Sequence, residues 1–312
     1  MKISDKEDHD FRAAYTRLKE AEVGQKIKDA DNILRDCALC PRQCRVNRKS
    51  GKKGYCRTGD APFIASWGPH FGEERPLVGR HGSGTVFFGN CNLRCIFCQN
   101  YSISHLGEGF EISHEKLADI MLSLQEFGCH NINLVTPTHQ AAAIIRAIRI
   151  ASEKGLAVPL VYNCGGYESL ATLKILEGIV DIYMPDLKYA DNVSAKKYSD
   201  AGDYADKAKS AIHEMYRQVG DLLIDERGIA KRGLLVRHLV LPANIAGTAE
   251  AVRFIAEEIS TNTYVNIMDQ YHPCFKSFGS PPLDRRITAK EYSDALEYAV
   301  RAGLKRIDGV TV

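Results

Sequence analysis

From residue 85 onward, short runs of β-branched and aromatic residues alternate with longer segments whose apolar positions recur at helical spacing. The runs Thr85 to Gly89, Asn131 to Thr136, Pro159 to Asn163, Val180 to Pro185, Leu234 to Leu241 and Thr263 to Met268 predict strands. The segments His114 to Glu126, His139 to Lys154, Glu168 to Glu177, Ser194 to Gln218, Thr248 to Ser260 and Ala289 to Ala302 predict helices. Strands this apolar, each followed by a helix, belong in a parallel sheet covered by helices, so the expected class is α/β, an incomplete (β/α)6 barrel. Functional groups of such barrels gather at the C-terminal ends of the strands. Upstream, residues 5 to 36 place Phe11, Leu18, Ile27 and Leu34 among charges and predict an amphipathic helix. The stretch from Cys37 to Cys56 has no periodicity and reads as a small knob folded by metal. Three regions are expected: a helical and Cys-rich extension over 1–60, a connecting segment over 61–83, and the barrel over 84–312.

Composition narrows this. The 312 residues are 45% hydrophobic and 26% charged, which excludes a disordered or collagen-like chain. Lys and Arg number 41 and Asp and Glu 39, so the net charge of +2 gives no whole-chain case for a polyanionic partner. The first ten residues, MKISDKEDHD, contain no apolar core of a secretory signal, and no apolar run approaches the ~18 residues a membrane helix needs. A cytoplasmic protein without membrane contact is expected. In a reducing compartment its ten cysteines read as metal ligands or catalytic thiols, not disulfides.

Seven of the ten are clustered. Cys37, Cys40, Cys44 and Cys56 are spaced C-x2-C-x3-C-x11-C, and Cys91, Cys95 and Cys98 are spaced C-x3-C-x2-C directly after the first predicted barrel strand. Gly89, Asn90 and Asn92 around the second group tolerate positive φ and let backbone N–H groups approach anionic sulfur. Three thiolates serve three corners of a [4Fe-4S] cube and leave one iron open. An open iron can chelate the amino and carboxylate groups of S-adenosylmethionine, whose one-electron cleavage yields a 5′-deoxyadenosyl radical. The alternatives are a Cys3His zinc site completed by His81 or His105, or three reduced structural thiols.

The C-x3-C-x2-C motif with Phe97 before its last cysteine resembles the radical S-adenosylmethionine (radical SAM) superfamily. Along the chain CALCPRQCRVNR, GSGTVFFGNCNLRCIFCQN, NINLVTPTHQ, LVYNCGGYE, VDIYMPDLKYAD, VRHLVLP and YVNIMDQY together resemble its pyruvate formate-lyase activating enzyme-like proteins. The resemblance implies a partial barrel of the radical SAM type, a [4Fe-4S] cluster on Cys91, Cys95 and Cys98, S-adenosylmethionine as cofactor, and a reductant such as flavodoxin or ferredoxin. Asp186-Leu187-Lys188 resembles the Asp-Leu-Lys of the activases, where both charged residues face the cofactor or substrate. Where the activases carry Gly-Gly-Glu, this chain has Thr136, Pro137, Thr138 and His139; Thr136, Thr138 and His139 are candidates for the methionine ammonium, with Thr138 alternatively a helix cap. Asn163 is a candidate for a ribose or the methionine carboxylate. Arg237, a cation in an apolar strand, needs an anionic partner such as a cofactor carboxylate. Cys164 reads as a small buried hydrophobe, a radical-facing thiol being the alternative, and His238 as a packed histidine. Asp269, Gln270, Tyr271 and His272 end the sixth strand with polar groups that a substrate could use.

The four N-terminal cysteines can close a tetrahedral zinc site or an auxiliary iron–sulfur cluster. Arg42, Arg45, Arg48, Lys49, Lys52 and Lys53 between them form a solvated basic face, nucleic acid being the lesser alternative. Three functions follow: a radical enzyme with an unidentified substrate; an activase drawing hydrogen from a glycine of a partner enzyme; and a metal-folded nucleic-acid-binding protein.

Overall fold

The computed structural model describes residues 11–309. The first ten residues, where a secretory signal was sought and where the predicted amphipathic segment begins, lie outside them. The amphipathic stretch contains α1 (Glu20–Arg35), which buries Ala30 and Leu34. Next come β1 (Phe63–His70), the single turn α2 (Arg75–Val78), β2 (Ser83–Phe88), β3 (Phe110–Glu111), α3 (His114–Glu126), β4 (Ile132–Val135), α4 (Ala141–Glu153) and β5 (Leu160–Cys164). The second half comprises α5 (Leu170–Leu176), β6 (Ile182–Pro185), α6 (Asn192–Ser199), α7 (Tyr204–Val219), β7 (Leu223–Ile224), β8 (Ala230–Leu239), α8 (Thr248–Phe254), β9 (Tyr264–Met268), α9 (Ala289–Arg301) and β10 (Arg306–Ile307).

The sheet runs β10-β9-β8-β6-β5-β4-β2-β1-β3, with β7 paired to β8. From β2 to β10 every neighbouring pair on that path is parallel, and β1 is antiparallel to β2 and β3. The six strands predicted from the sequence therefore make up the parallel arc, which β10 extends by a seventh, and the arc does not close. It is buried on both faces: Val86, Ile132, Leu134, Leu160, Tyr162, Leu234 and Val236 belong to the main core with the helices, and Val161, Ile182, Met184 and Leu235 form a second cluster. Each side chain of this kind stabilises the fold by about 1.5–3 kcal/mol over its exposed state. Helix α4 is apolar nearly all round because it lies between the sheet, α1 and α3. Its two arginines tie α1 to the barrel: Arg146 pairs with Asp31 and with Asp60 at 3.2 Å, and Arg149 reaches Glu20 at 3.2 Å.

Three expectations are corrected. The helix predicted from Ser194 to Gln218 is two, because the run Asp200-Ala201-Gly202-Asp203 favours a turn and Asp200 adopts a left-handed φ of 52°. The stretch expected as a connection over 61–83 contains β1; Pro69 concealed it, yet beyond Ile64 this strand pairs only with β2, where proline is tolerated. The N-terminal Cys-rich segment, expected as a knob folded by metal, also packs on the barrel: Cys37 and Leu39 belong to the main core and Thr172 of α5 donates a hydrogen bond to the Leu39 carbonyl at 2.8 Å.

Candidate active site

Every strand of the parallel arc from β2 to β9 ends at one cavity of about 250 Å³. Phe88 comes from β2, Val135 from β4 and Thr136 directly after it, Asn163 and Cys164 from β5, Asp186 directly after β6, Arg237 and Leu239 from β8, and Met268 from β9. Cys91, Cys95 and Cys98 form the wall contributed by the loop after β2.

That loop is fixed from several sides. Asn90 takes a left-handed φ of 67°, which asparagine accepts more readily than most residues. Gly89 is needed for close approach instead, since a Cβ there would lie 2.5 Å from the Phe63 ring. The N–H groups of Arg94 and Ile96 donate to the carbonyls of Ser199 and Tyr198 at 3.1 and 2.9 Å, so the break between α6 and α7 holds the cysteine loop. It also places the Ser199 hydroxyl 3.0 Å from Cys95 Sγ. The Leu93 N–H lies 3.4 Å from Cys91 Sγ and the Ser104 hydroxyl 3.1 Å from Cys98 Sγ. Each thiol thus has a donor of its own, and the sequence carried no signal for Ser104 or Ser199.

Burial is the main influence on all three thiols. Burial and neighbouring Cys95 push Cys91 up to about 12; Cys95 and Cys98 are also raised by burial, with Lys188 acting in the opposite direction. As free thiols they are protonated at neutral pH, and a metal must displace those protons. Three thiols with individual donors and a nearby ammonium, facing one cavity, are a donor set that fits three corners of a [4Fe-4S] cube. Among the described residues no three His, Cys, Asp or Glu side chains converge as they would on a single ion.

Opposite the cysteines, Asp186 is held between two cations. Lys188 Nζ lies 2.5 Å from its Oδ2 and Arg237 Nε 2.8 Å from its Oδ1. Burial raises this carboxyl, but Arg237 and Lys188 more than offset it and leave it below its ordinary value. Arg237 also donates to Asn163 Oδ1 at 2.8 Å and stands 3.7 Å from Glu74. The anionic partners it was expected to find in a cofactor are therefore supplied by the chain.

Two other candidates lie off the cavity. Thr138 neither lines it nor caps the following helix: its hydroxyl donates to Glu168 Oε1 at 2.5 Å. His139 donates from Nε2 to the Gly89 carbonyl at 2.9 Å, and burial lowers its pKa to about 3, so it is a neutral brace for the loop. Thr136 does line the cavity, with a φ of 60°, rare for a β-branched residue. Gln270 lines it too, whereas Tyr271 is buried on the Leu283 carbonyl, His272 is half-buried outside the cavity lining and Asp269 is exposed. His238 is buried between the Leu187 carbonyl and the Thr248 hydroxyl. His105 packs on Phe275 with ring centroids 4.6 Å apart, and His81 packs on His130 at 5.5 Å; neither lines the cavity.

Glu168 went unread in the sequence. It is buried and accepts hydrogen bonds from Thr138 and from Tyr162, the latter at 3.1 Å, and it bonds the cavity thiol Cys164. Burial outweighs these bonds and raises its pKa to about 7. A carboxyl whose folded pKa is raised contributes stability at low pH that is lost as pH climbs through the folded value. Thermal stability should therefore decline between about pH 5 and 7, and Glu168→Gln should reduce that decline. Asp181, also raised to about 7, remains in the variant and leaves a residual slope. Identical slopes in the two proteins would remove Glu168 as a cause.

The basic face expected between Cys37 and Cys56 is largely committed within the chain. Arg48 is buried on the carbonyls of Gly59 and His139. Arg45 pairs with Asp36, Lys49 with Asp60 and Lys53 with Glu111. Arg42 lies over the Tyr55 ring at 3.9 Å. This consumption of charge argues against a nucleic-acid surface there.

The model of the radical SAM superfamily matches residues 85–221, the span holding the three cysteines and strands β2 to β6. Uncharacterized protein MJ0674 of Methanocaldococcus jannaschii is 30% identical over 292 residues, covering 90% of this chain and 79% of its own. The chain belongs to the radical SAM superfamily. It is therefore an enzyme, and membership implies a [4Fe-4S] cluster and S-adenosylmethionine in the general radical SAM reaction, for which an electron donor is required. Among solved structures, TYW1 with a lysine-pyruvate adduct bound aligns over 70% of this chain and 73% of its own, at 10% identity and a TM-score of 0.43. Methylornithine synthase (PylB) aligns over 96% and 80%, at 13% identity and a TM-score of 0.41. Among the described residues no helix is long and apolar enough to cross a membrane.

Proposed function

We propose that this radical SAM enzyme abstracts hydrogen from a substrate bound at the mouth of the barrel cavity. What supports this most is the placement of Cys91, Cys95 and Cys98 on one cavity with Thr136, Asn163, Asp186, Lys188, Arg237 and Gln270. The three thiols would hold the cluster, which when bound with S-adenosylmethionine supplies the electron that cleaves the sulfonium to a 5′-deoxyadenosyl radical. The Lys188 ammonium and the Ser104 and Ser199 hydroxyls offset thiolate charge. Asn163 gives its carbonyl oxygen to Arg237 and keeps its amide N–H donors for a ribose or a carboxylate. Asp186, fixed by two cations, presents a charge that need not reorganise when a cationic ligand enters. Phe88, Leu239 and Met268 limit water around the reacting groups.

A narrower reading makes the substrate a glycine of a partner enzyme. It is favoured by Asp186 and Lys188, which match the activases and both line the cavity; Thr136-Pro137-Thr138-His139 in place of Gly-Gly-Glu counts against it. The four N-terminal cysteines are proposed as a second metal site.

Incubation with extract from cells grown on deuterated medium tests the abstraction: deuterium should appear in 5′-deoxyadenosine, and a glycyl-radical resonance signal would select the activase. Deuterium-free 5′-deoxyadenosine formed at a rate the extract does not alter would argue against a substrate there. Lys188→Met should retain the fold and slow 5′-deoxyadenosine release about tenfold, roughly 1.4 kcal/mol in the barrier. A rate equal to that of the surface control Lys154→Met would make Lys188 structural.

A further inference from the structure

We propose that Cys37, Cys40, Cys44 and Cys56 hold a fully ligated [4Fe-4S] cluster, bridged through hydrogen bonds to the loop of the barrel cysteines. The inference rests on the reading of this segment as a second metal site and names its metal.

All four cysteines line one small cavity, although their segment has no helix longer than three residues and no strand. The chain is bent sharply at the ligands. Gln43, Arg45 and Arg57, each next to a cysteine, have φ of 42°, 54° and 58°. Side-chain-bearing residues occupy that region at a cost in free energy, so something must hold the loop there. Gly54 leaves the space Cys44 fills: a Cβ would lie 2.7 Å from Cys44 Cβ and 2.8 Å from its Sγ. Backbone N–H groups face sulfur, Tyr55 N reaching Cys44 Sγ at 3.3 Å and Arg42 N–H bonding Cys40. Arg42 also lines the cavity, and its Nη2 is buried without a partner. A buried guanidinium N–H requires an acceptor, and the inorganic sulfides of a cluster are acceptors lying between the thiolates.

Zinc is the weaker occupant. Zn–S bonds of about 2.3 Å in a tetrahedron draw four thiolates to within ~4 Å of one another. A cube keeps inorganic sulfides between its cysteine sulfurs as acceptors for the Arg42 guanidinium, which a single zinc ion does not.

The two groups also touch. Arg42 Nε donates to the Asn92 carbonyl at 3.0 Å, linking the residue two after Cys40 to the residue after Cys91. Arg94 donates to the Tyr55 carbonyl at 2.6 Å and to the Cys91 carbonyl at 2.8 Å, linking the residue before Cys56 to a barrel ligand. With no iron open to a ligand, such a cluster is suited to exchanging single electrons and not to binding substrate.

The test is metal analysis of the full chain, purified and reconstituted anaerobically, with electron paramagnetic resonance of the reduced state. Wild type should hold about eight irons and eight sulfides, two cubes' worth, and the triple variant Cys91→Ala/Cys95→Ala/Cys98→Ala about four of each. Spin–spin broadening should be present in wild type and absent in the triple variant. Gly54→Val should lower wild-type iron by about half. Wild type with about four irons and one zinc would overturn the cluster while leaving a second metal site. Wild type with about four irons and no other metal would overturn both.

Discussion

Replacing Cys95 by Ala should take 5′-deoxyadenosine formation down by at least a hundredfold while leaving the barrel folded. The thiol is one of three on its cavity wall, and two thiolates cannot hold a cube whose fourth corner must stay open. Its surroundings are arranged around a sulfur that is to become anionic: Ser199 is 3.0 Å away, and Lys188 is the largest influence opposing the burial that keeps the thiol protonated. The side chain is small, so losing one buried sulfur costs on the order of 1 kcal/mol, and the loop remains stitched to α6 through Arg94 and Ile96. Iron content and 5′-deoxyadenosine are the readouts, with Cys91→Ala and Cys98→Ala beside it. Undiminished product in all three would mean that this loop does not carry the cluster.

Arg237→Met should be the most destabilising single change at the cavity, by about 3–5 kcal/mol. The guanidinium holds Asp186 at 2.8 Å and Asn163 at 2.8 Å and faces Glu74. Methionine fills much of the volume and removes every donor. Two buried carboxylates then lose a counter-charge, and Lys188 compensates only for Asp186. Lys154→Met, which breaks the exposed pair with Asp119, should stay within about 0.5 kcal/mol of wild type. Denaturant unfolding of both checks this, and equal midpoints would mean that water, not Arg237, satisfies these carboxylates.

The parallel arc was legible because strands buried on both faces are written as continuous apolar runs, as at Leu160 to Tyr162 and Leu234 to Val236. Strand β1 was not, since Gly68 and Pro69 read as breakers in the part of the strand that has β2 as its one neighbour. The three barrel cysteines announced themselves by spacing, and Asp186, Lys188 and Arg237 by being charged at strand ends. That the last three form one ion cluster is a matter of register, Asp186 bridging to Arg237 across β6 and β8, which no local pattern contains. Glu168 escaped for the same reason: its partners Thr138 and Tyr162 come from the turn after β4 and the middle of β5. Thr138 and His139 were drawn to the site because they follow a strand; the turn at Thr136 instead carries them beneath the strand ends, where Glu168 and Gly89 engage them.

The most direct measurement is of the wild-type chain reconstituted with iron and sulfide, reduced without oxygen and given S-adenosylmethionine. Release of 5′-deoxyadenosine and methionine, dependent on the reductant and accompanied by a change in the cluster's resonance signal when S-adenosylmethionine is added, is the expected result. A protein that fills its three-cysteine site with iron and sulfide, binds S-adenosylmethionine and releases no 5′-deoxyadenosine under reduction would contradict radical chemistry at this cavity.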